Sequence, residues 1–238
     1  MMADNGGIDR THSSSRPQKV VFWGLHFVIV LLCTWLVLGG GLQSMASWLG
    51  QAADWADPVR ARILLFCSII YFIRHGITLF YLLARRIEWG EVFGLALFFA
   101  LFEIGLLFVG GGVFRDSPIA LSWLDIFALI LYLSGSLLNS VSEIQRKLWK
   151  EDPSNKGHCY TGGLFRYSMH INYFGDVVLF TGWSLITATF WALGLPILML
   201  LMFMFLHIPP LDEYLAGRYG DEFKAYRSKT KRLIPFVW

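Results

Sequence analysis

The sequence predicts an all-α, polytopic integral membrane protein. It has about six transmembrane helices, a C-terminal helical hairpin and a cytoplasmic amphipathic tail. Of the 238 residues, 55% are hydrophobic and only 16% charged, where a soluble domain is charged at about a quarter of its positions. The apolar residues also come in unbroken blocks, and about 20 in a row suffice to cross a bilayer. The distribution of Lys and Arg then sets the number of crossings.

Residues 1–19 are polar, with glycines and the triplet Ser13–Ser15, and are expected to form a disordered cytoplasmic tail. Val20–Leu42 carries no formal charge. It is too long for a signal peptide, and no small-residue cleavage site ends it, so none is expected. Ile63–Ala84 carries only Arg74 and His75, Val92–Val113 only Glu103, and Ile119–Val141 only Asp125. These blocks make residues 20–141 a four-helix transmembrane region. Val177–Leu206 is uncharged too, but longer than one span needs, with Thr187-Ala188-Thr189 near its middle and Pro196 beyond. It suits either one long tilted helix or a hairpin of two short ones.

Short cytoplasmic loops collect Lys and Arg, and that rule selects the hairpin. With six crossings, one side holds Arg10, Arg16 and Lys19, then Arg85 and Arg86, five cations from Arg146 to Arg166 and six from Arg218 to Arg232. The other side holds Arg60, Arg62 and Arg115, a division of sixteen to three. Both termini are therefore expected in the cytoplasm, with the protein in the inner membrane if the cell is bacterial.

Three cytoplasmic stretches carry chemistry beyond what anchoring needs. In SEIQRKLWKEDPSNKG, Arg146 and Lys150 share a helix face and form either a basic interfacial anchor or a two-cation clamp for phosphate. In GLFRYSMHINYFGDVVLF, Asn172, Tyr173 and Asp176 enter an apolar helix together. A carboxylate about a turn inside needs a partner or a water-filled cavity, so a ligand pocket is expected there. In PPLDEYLAGRYGDEFKAYRSKTKRLIP, Tyr219 and Tyr226 are two turns apart on a continuous helix, Arg218 is placed to pair with Glu222, and Gly220 is a potential break. By composition alone that stretch is a basic amphipathic surface helix. Cys33, Cys67 and Cys159 lack CxxC spacing, so no metal site is expected. Neither GxGxxG nor GxxxxGK occurs, and topology already accounts for the basic residues, so nucleic acid is not an expected partner.

GLFRYSMHINYFGD and LDEYLAGRYGDEFKAYRSKTKRLIP resemble the C-terminal domain of steroid 5α-reductases and their bacterial relatives, and the NADPH-dependent sterol reductases. The resemblance covers residues 142–238, and the first four spans match only in hydropathy and loop length. It implies an NADPH site in that domain, with residues 20–141 on the substrate side. Arg146 and Lys150 would meet phosphates, and Phe165 stands where the sterol reductases carry Trp. His170, Asn172 and Tyr173 occupy the H-x-N-Y positions, with Asp176 as the final acid. Arg218, Tyr219 and Tyr226 match a Lys-Tyr and a later Tyr, and Asp212 matches an acid. Met169 departs from the pattern, which has Arg, and Arg166 lies three residues earlier. Isoprenylcysteine and phospholipid methyltransferases share the hairpin and the Y-G-x-x-Y ending but use R-H-P-x-Y where this chain reads M-H-I-N-Y.

The resemblance thus implies a reductase of a double bond in a steroid-, isoprenoid- or fatty-acyl-like substrate that enters from the lipid bilayer. His75, Glu103 and Tyr173 are the candidate catalytic donors to the charge that develops on the substrate. Arg74 and Glu103 equally suit a structural ion pair between helices. The alternatives are an S-adenosylmethionine-dependent membrane methyltransferase and a non-catalytic binding module on the same fold.

Overall fold

The structure is a computed structural model, and it describes residues 14–50, 57–115 and 117–238. Among these, five helical runs are long and apolar enough to cross a membrane: Arg16–Leu38, Pro58–Leu82, Trp89–Gly110, Trp123–Glu151 and Phe190–Tyr219. The all-α, multi-pass expectation holds. Of the expected disordered tail, residues 1–13 lie outside the described residues, and Arg16–Lys19 already belong to the first helix.

Local signals explain the helix boundaries. Helix α1 (Arg16–Leu38) starts with Pro17 in its first turn, where the missing N–H costs nothing. A short α2 (Gly41–Trp48) follows. Asp57 caps α3 (Pro58–Ile77) by accepting from the Arg60 N–H at 3.1 Å, and a π-helical turn, Thr78–Leu82, extends it. Then come α4 (Trp89–Gly110) and α5 (Trp123–Glu151), the latter ending at Asp152-Pro153. Helix α6 (Ile171–Ile186) has 16 residues, about 24 Å at 1.5 Å each and so shorter than a bilayer core. A turn at Thr187–Thr189, with Ala188 at φ 52°, separates it from the last apolar run. The uncharged segment is therefore two helices, but α6 is not among the long apolar runs, so the described residues give five candidate spans where about six were expected. That run comprises α7 (Gly194–Met202), a π-helical turn at Phe203–His207 and α8 (Ile208–Tyr219), and α9 (Asp221–Lys229) follows.

The chain divides into two compact units. One runs up to Tyr132 and includes Thr181–Gly194; α1, α3 and α4 pack around Phe22, Cys33, Leu64, Phe99 and Phe102. In it Arg60 is fully buried, holding Asp57, Asp125 and the Ile186 carbonyl, while Arg115 donates to the Thr187 carbonyl. These cations satisfy orphan carbonyls at the end of α6 and complement its dipole. Asp125 is thus an ion-pair partner of Arg60.

The other unit comprises Leu133–Phe180 and Leu195–Trp238. Its framework is a glycine seam between α5 and α6. A Cβ on Gly135 would lie 2.2 Å from the Leu179 nitrogen, and one on Gly175 would lie 2.6 Å from the Asn139 nitrogen. Small residues let two backbones meet this closely, which is how membrane helices gain contact where hydrophobicity gives no drive.

Candidate functional site

The seam sets the polar groups of α5 against those of α6. Asn139 donates from Nδ2 to the Asn172 carbonyl and to Asp176 Oδ2, each at 3.0 Å. One turn along α5, Glu143 Oε1 accepts from Asn172 Nδ2 at 2.8 Å, and the other Glu143 oxygen holds Arg146. The guanidinium in turn lies over the Phe165 ring, 5.3 Å from its centroid. A continuous polar chain therefore runs from Asp176 to Arg146.

Arg146 opens onto a hollow of about 50 Å³. Lys150 joins it from the next turn of α5, and Tyr160, Phe165, Met169, Tyr219, Phe223 and Tyr226 supply most of the wall. The Tyr226 hydroxyl donates to the Phe165 carbonyl at 2.5 Å, locking α9 to the segment before α6. Burial pushes the Tyr226 hydroxyl well above its ordinary value, so it stays a donor. Cys159 also faces the hollow, its thiol raised by burial and then by the Glu222 carboxylate.

Of the residues expected to bind a cofactor, Arg146, Lys150, Phe165, Tyr219 and Tyr226 line this hollow. The others do not line it. Asn172 and Asp176 belong to the polar chain and do not line the hollow. His170 and Asp212 form a buried pair at 2.8 Å, completed by Arg232 at 2.8 Å, which ties Asp212 to the chain's final segment. Tyr173 stacks between the rings of His170 and Phe203, at 5.7 and 4.6 Å. Arg166 is exposed over Tyr167, outside the hollow. Arg218 donates to the Tyr214 hydroxyl at 2.7 Å and does not pair with Glu222, which takes His158 and the Cys159 N–H instead. The reason is Gly220, at φ 53° and ψ −121°, which breaks the helix and removes the i,i+4 spacing. Tyr219 and Tyr226 thus come from separate helices and still share one wall.

The remaining candidates, His75 and Glu103, meet in the other unit through a residue the sequence reading missed. His26 Nε2 lies 2.7 Å from Glu103 Oε1, and His26 Nδ1 lies 2.8 Å from His75 Nδ1. Glu103 therefore pairs with His26, not with Arg74. His75 Nε2 and Glu103 Oε2 are buried without a hydrogen-bond partner at the two ends of this chain. Phe22, Tyr71, Phe72 and Phe99 rings surround the histidines. The available signal for His26 was a lone imidazole in a span with no formal charge. Asn139 had one too, sitting four residues before Glu143 on a helix. Among the described residues no group of His, Cys, Asp and Glu has metal-binding geometry.

Residues 20–230 match the family described as "Protein of unknown function (DUF1295)". The chain belongs to the DUF1295 family. A curated relative, Probable O-methyltransferase ustE of Ustilaginoidea virens, is 38% identical over 95 residues, which are 38% of this chain and 33% of that protein. The DUF1295 chain thus covers about a third of that relative's length. Among solved structures, the eukaryotic intramembrane Ras methyltransferase ICMT (isoprenylcysteine carboxyl methyltransferase) matches at a TM-score of 0.45 and 14% identity. That match covers 94% of this chain and 98% of the other.

Proposed function

We propose that this DUF1295 protein is a membrane methyltransferase that moves a methyl group from S-adenosylmethionine to a lipophilic acceptor. The observation that carries the reading is the 38% identity over 95 residues to a protein described as a probable O-methyltransferase. The chemistry of the hollow agrees with it. Arg146 and Lys150 offer charge to a carboxylate, and the rings of Phe165, Tyr219 and Tyr226 suit a cationic group or a flat base. A bound S-adenosylmethionine supplies an electrophilic methyl group and a thioether leaving group. The protein's part is to seat the amino-acid end at Arg146 and Lys150 and to keep water off with the aromatic wall. Asn172, Glu143 and Asp176 act one step back, orienting Arg146. His75 and Glu103, joined by His26, are the polar groups proposed to meet the acceptor, with residues 20–141 as the substrate side and 142–238 as the cofactor domain. The hollow is assigned to the cytoplasmic face by the sixteen-to-three charge division.

The second reading is an NADPH-dependent reductase of a lipophilic substrate. It is favoured by the H-x-N-Y and G-D positions at His170–Asp176 and by the two cations at the hollow. Against it, Met169 stands in the wall where an arginine would hold phosphate.

Thermal melting of the purified protein with each cofactor discriminates the readings, since a ligand that binds only the native state raises the melting temperature. Methyl transfer predicts stabilisation by S-adenosylmethionine, lost in Arg146→Ala. Stabilisation by NADPH alone would replace it with the reductase, and indifference to both would favour a non-catalytic module.

A further inference from the structure

We propose that the segment after α9, together with Arg166 and Tyr167, is a docking surface for anionic lipid headgroups, separate from the membrane-spanning helices. The backbone places it. The Met169 N–H donates to the Lys231 carbonyl at 2.8 Å, and the His170 N–H donates to the Arg232 carbonyl at 2.9 Å. The final segment is thereby fastened to the two residues that precede Ile171, where the apolar helix α6 begins. Ser168 Oγ adds a bond to the Leu233 carbonyl at 2.7 Å, and Arg232 is tied to the buried Asp212.

The side chains exposed there are of two kinds. Phe236 and Val237 are 77% and 70% exposed, and the Phe236 ring meets that of Tyr167 at 6.0 Å. Such exposure of a phenyl ring and a branched chain, beside a helix that enters lipid, has no use in water. The same segments carry Arg166, Lys229 and Lys231, all exposed. Among the described residues none of the three has a carboxylate within 4.0 Å. The nearby acids of α9 are committed, Asp221 to Lys224 and Glu222 to His158. Apolar anchors on segments that also carry unneutralised cations match a leaflet surface, with hydrocarbon below and phosphate at its rim. Each such cation near an anionic leaflet favours attachment by about fivefold.

The test needs no cofactor, so its failure and that of the methyltransferase reading are distinguishable. The full chain is placed in nanodiscs of phosphatidylcholine, alone or mixed with phosphatidylglycerol, and hydrogen exchange is followed over residues 229–238. Anionic lipid is expected to slow exchange about 10-fold or more. The variant Arg166→Gln, Lys229→Gln, Lys231→Gln should lose that slowing while exchange in α6 stays unchanged. A second variant, Phe236→Ser with Val237→Ser, keeps every cation and should lose it as well. Equal rates in the two lipids, or slowing that survives both variants, would overturn the proposal. So would inorganic phosphate reproducing the effect in zwitterionic discs, since the site would then be one for a free anion.

Discussion

Replacing Gly135 by alanine tests whether the α5–α6 seam is as close as the structure has it. The added Cβ would sit 2.2 Å from the Leu179 nitrogen and 2.5 Å from the Gly175 oxygen, where ordinary contact begins at 3.4 Å. The helices must separate locally by more than an ångström, and both obstacles are backbone atoms, which cannot rotate aside. Overpacking of this kind costs about 3 kcal/mol, the upper end of its usual range. In a chain of this length that is a fall in melting temperature of about 6–12 °C. The assay is thermal melting in detergent beside Gly94→Ala, a helix-interior position with nothing within 4 Å of its Cβ. There alanine removes the helix penalty of glycine, so stability should hold or rise. A Gly135→Ala protein that melts with the wild type would refute the close approach, and with it the alignment of Asn139 against Asn172 and Asp176.

Three further outcomes are expected. His26→Leu strands Glu103 without its partner inside a membrane helix and should cost about 3–5 kcal/mol, whereas Glu103→Gln, which keeps an acceptor for His26, should cost less than half of that; equal losses in melting experiments would deny the pair. Glu222 is held below its ordinary 4.5 by the Cys159 N–H and then by His158, so its contribution is complete above that value and lost as pH falls through the depressed folded one. Glu222→Gln should therefore flatten the acid limb of the stability–pH curve, and an unaltered limb would show that the contact carries nothing. Asn172→Ala and Arg146→Ala should each weaken S-adenosylmethionine binding, and together by no more than about the larger single effect, because one acts through the other. Additive losses in a binding titration would mean that Asn172 touches the ligand directly.

Different parts of the fold were legible to different degrees. Four of the membrane helices could be read from uninterrupted apolar blocks, since lipid leaves the backbone no alternative to internal hydrogen bonds. The break at Thr187–Thr189 was marked by two threonines inside an apolar run, and the charge count chose the hairpin over one long helix. At the hollow, Arg146 and Lys150 were found because a single helix fixes their relation. Arg218 and Glu222 were misjoined because the same rule was carried across Gly220, whose backbone turns the chain out of register. The contact of His170 with Asp212 could not be read from the sequence, because residues 42 positions apart meet only when the chain is folded. His26 was passed over because a histidine adds nothing to a formal charge count.

The amide and carboxylate carried into α6 also acquire a physical reason. An isolated Asp176 at that depth is costly, and Asn139 offsets the cost only because Gly135 and Gly175 bring the two backbones together. Having been brought there, the same contact directs Asn172 onto Glu143, and Glu143 onto Arg146. Arg146 carries a long, flexible side chain which, left alone, would sample many rotamers at the membrane surface. Held by Glu143 and laid over Phe165, it presents one charge in one place to the hollow. Order inside the membrane is thereby converted into position at its edge. Such a fixed charge would serve the proposed cofactor site, whereas an interfacial anchor works as well with its cations loose.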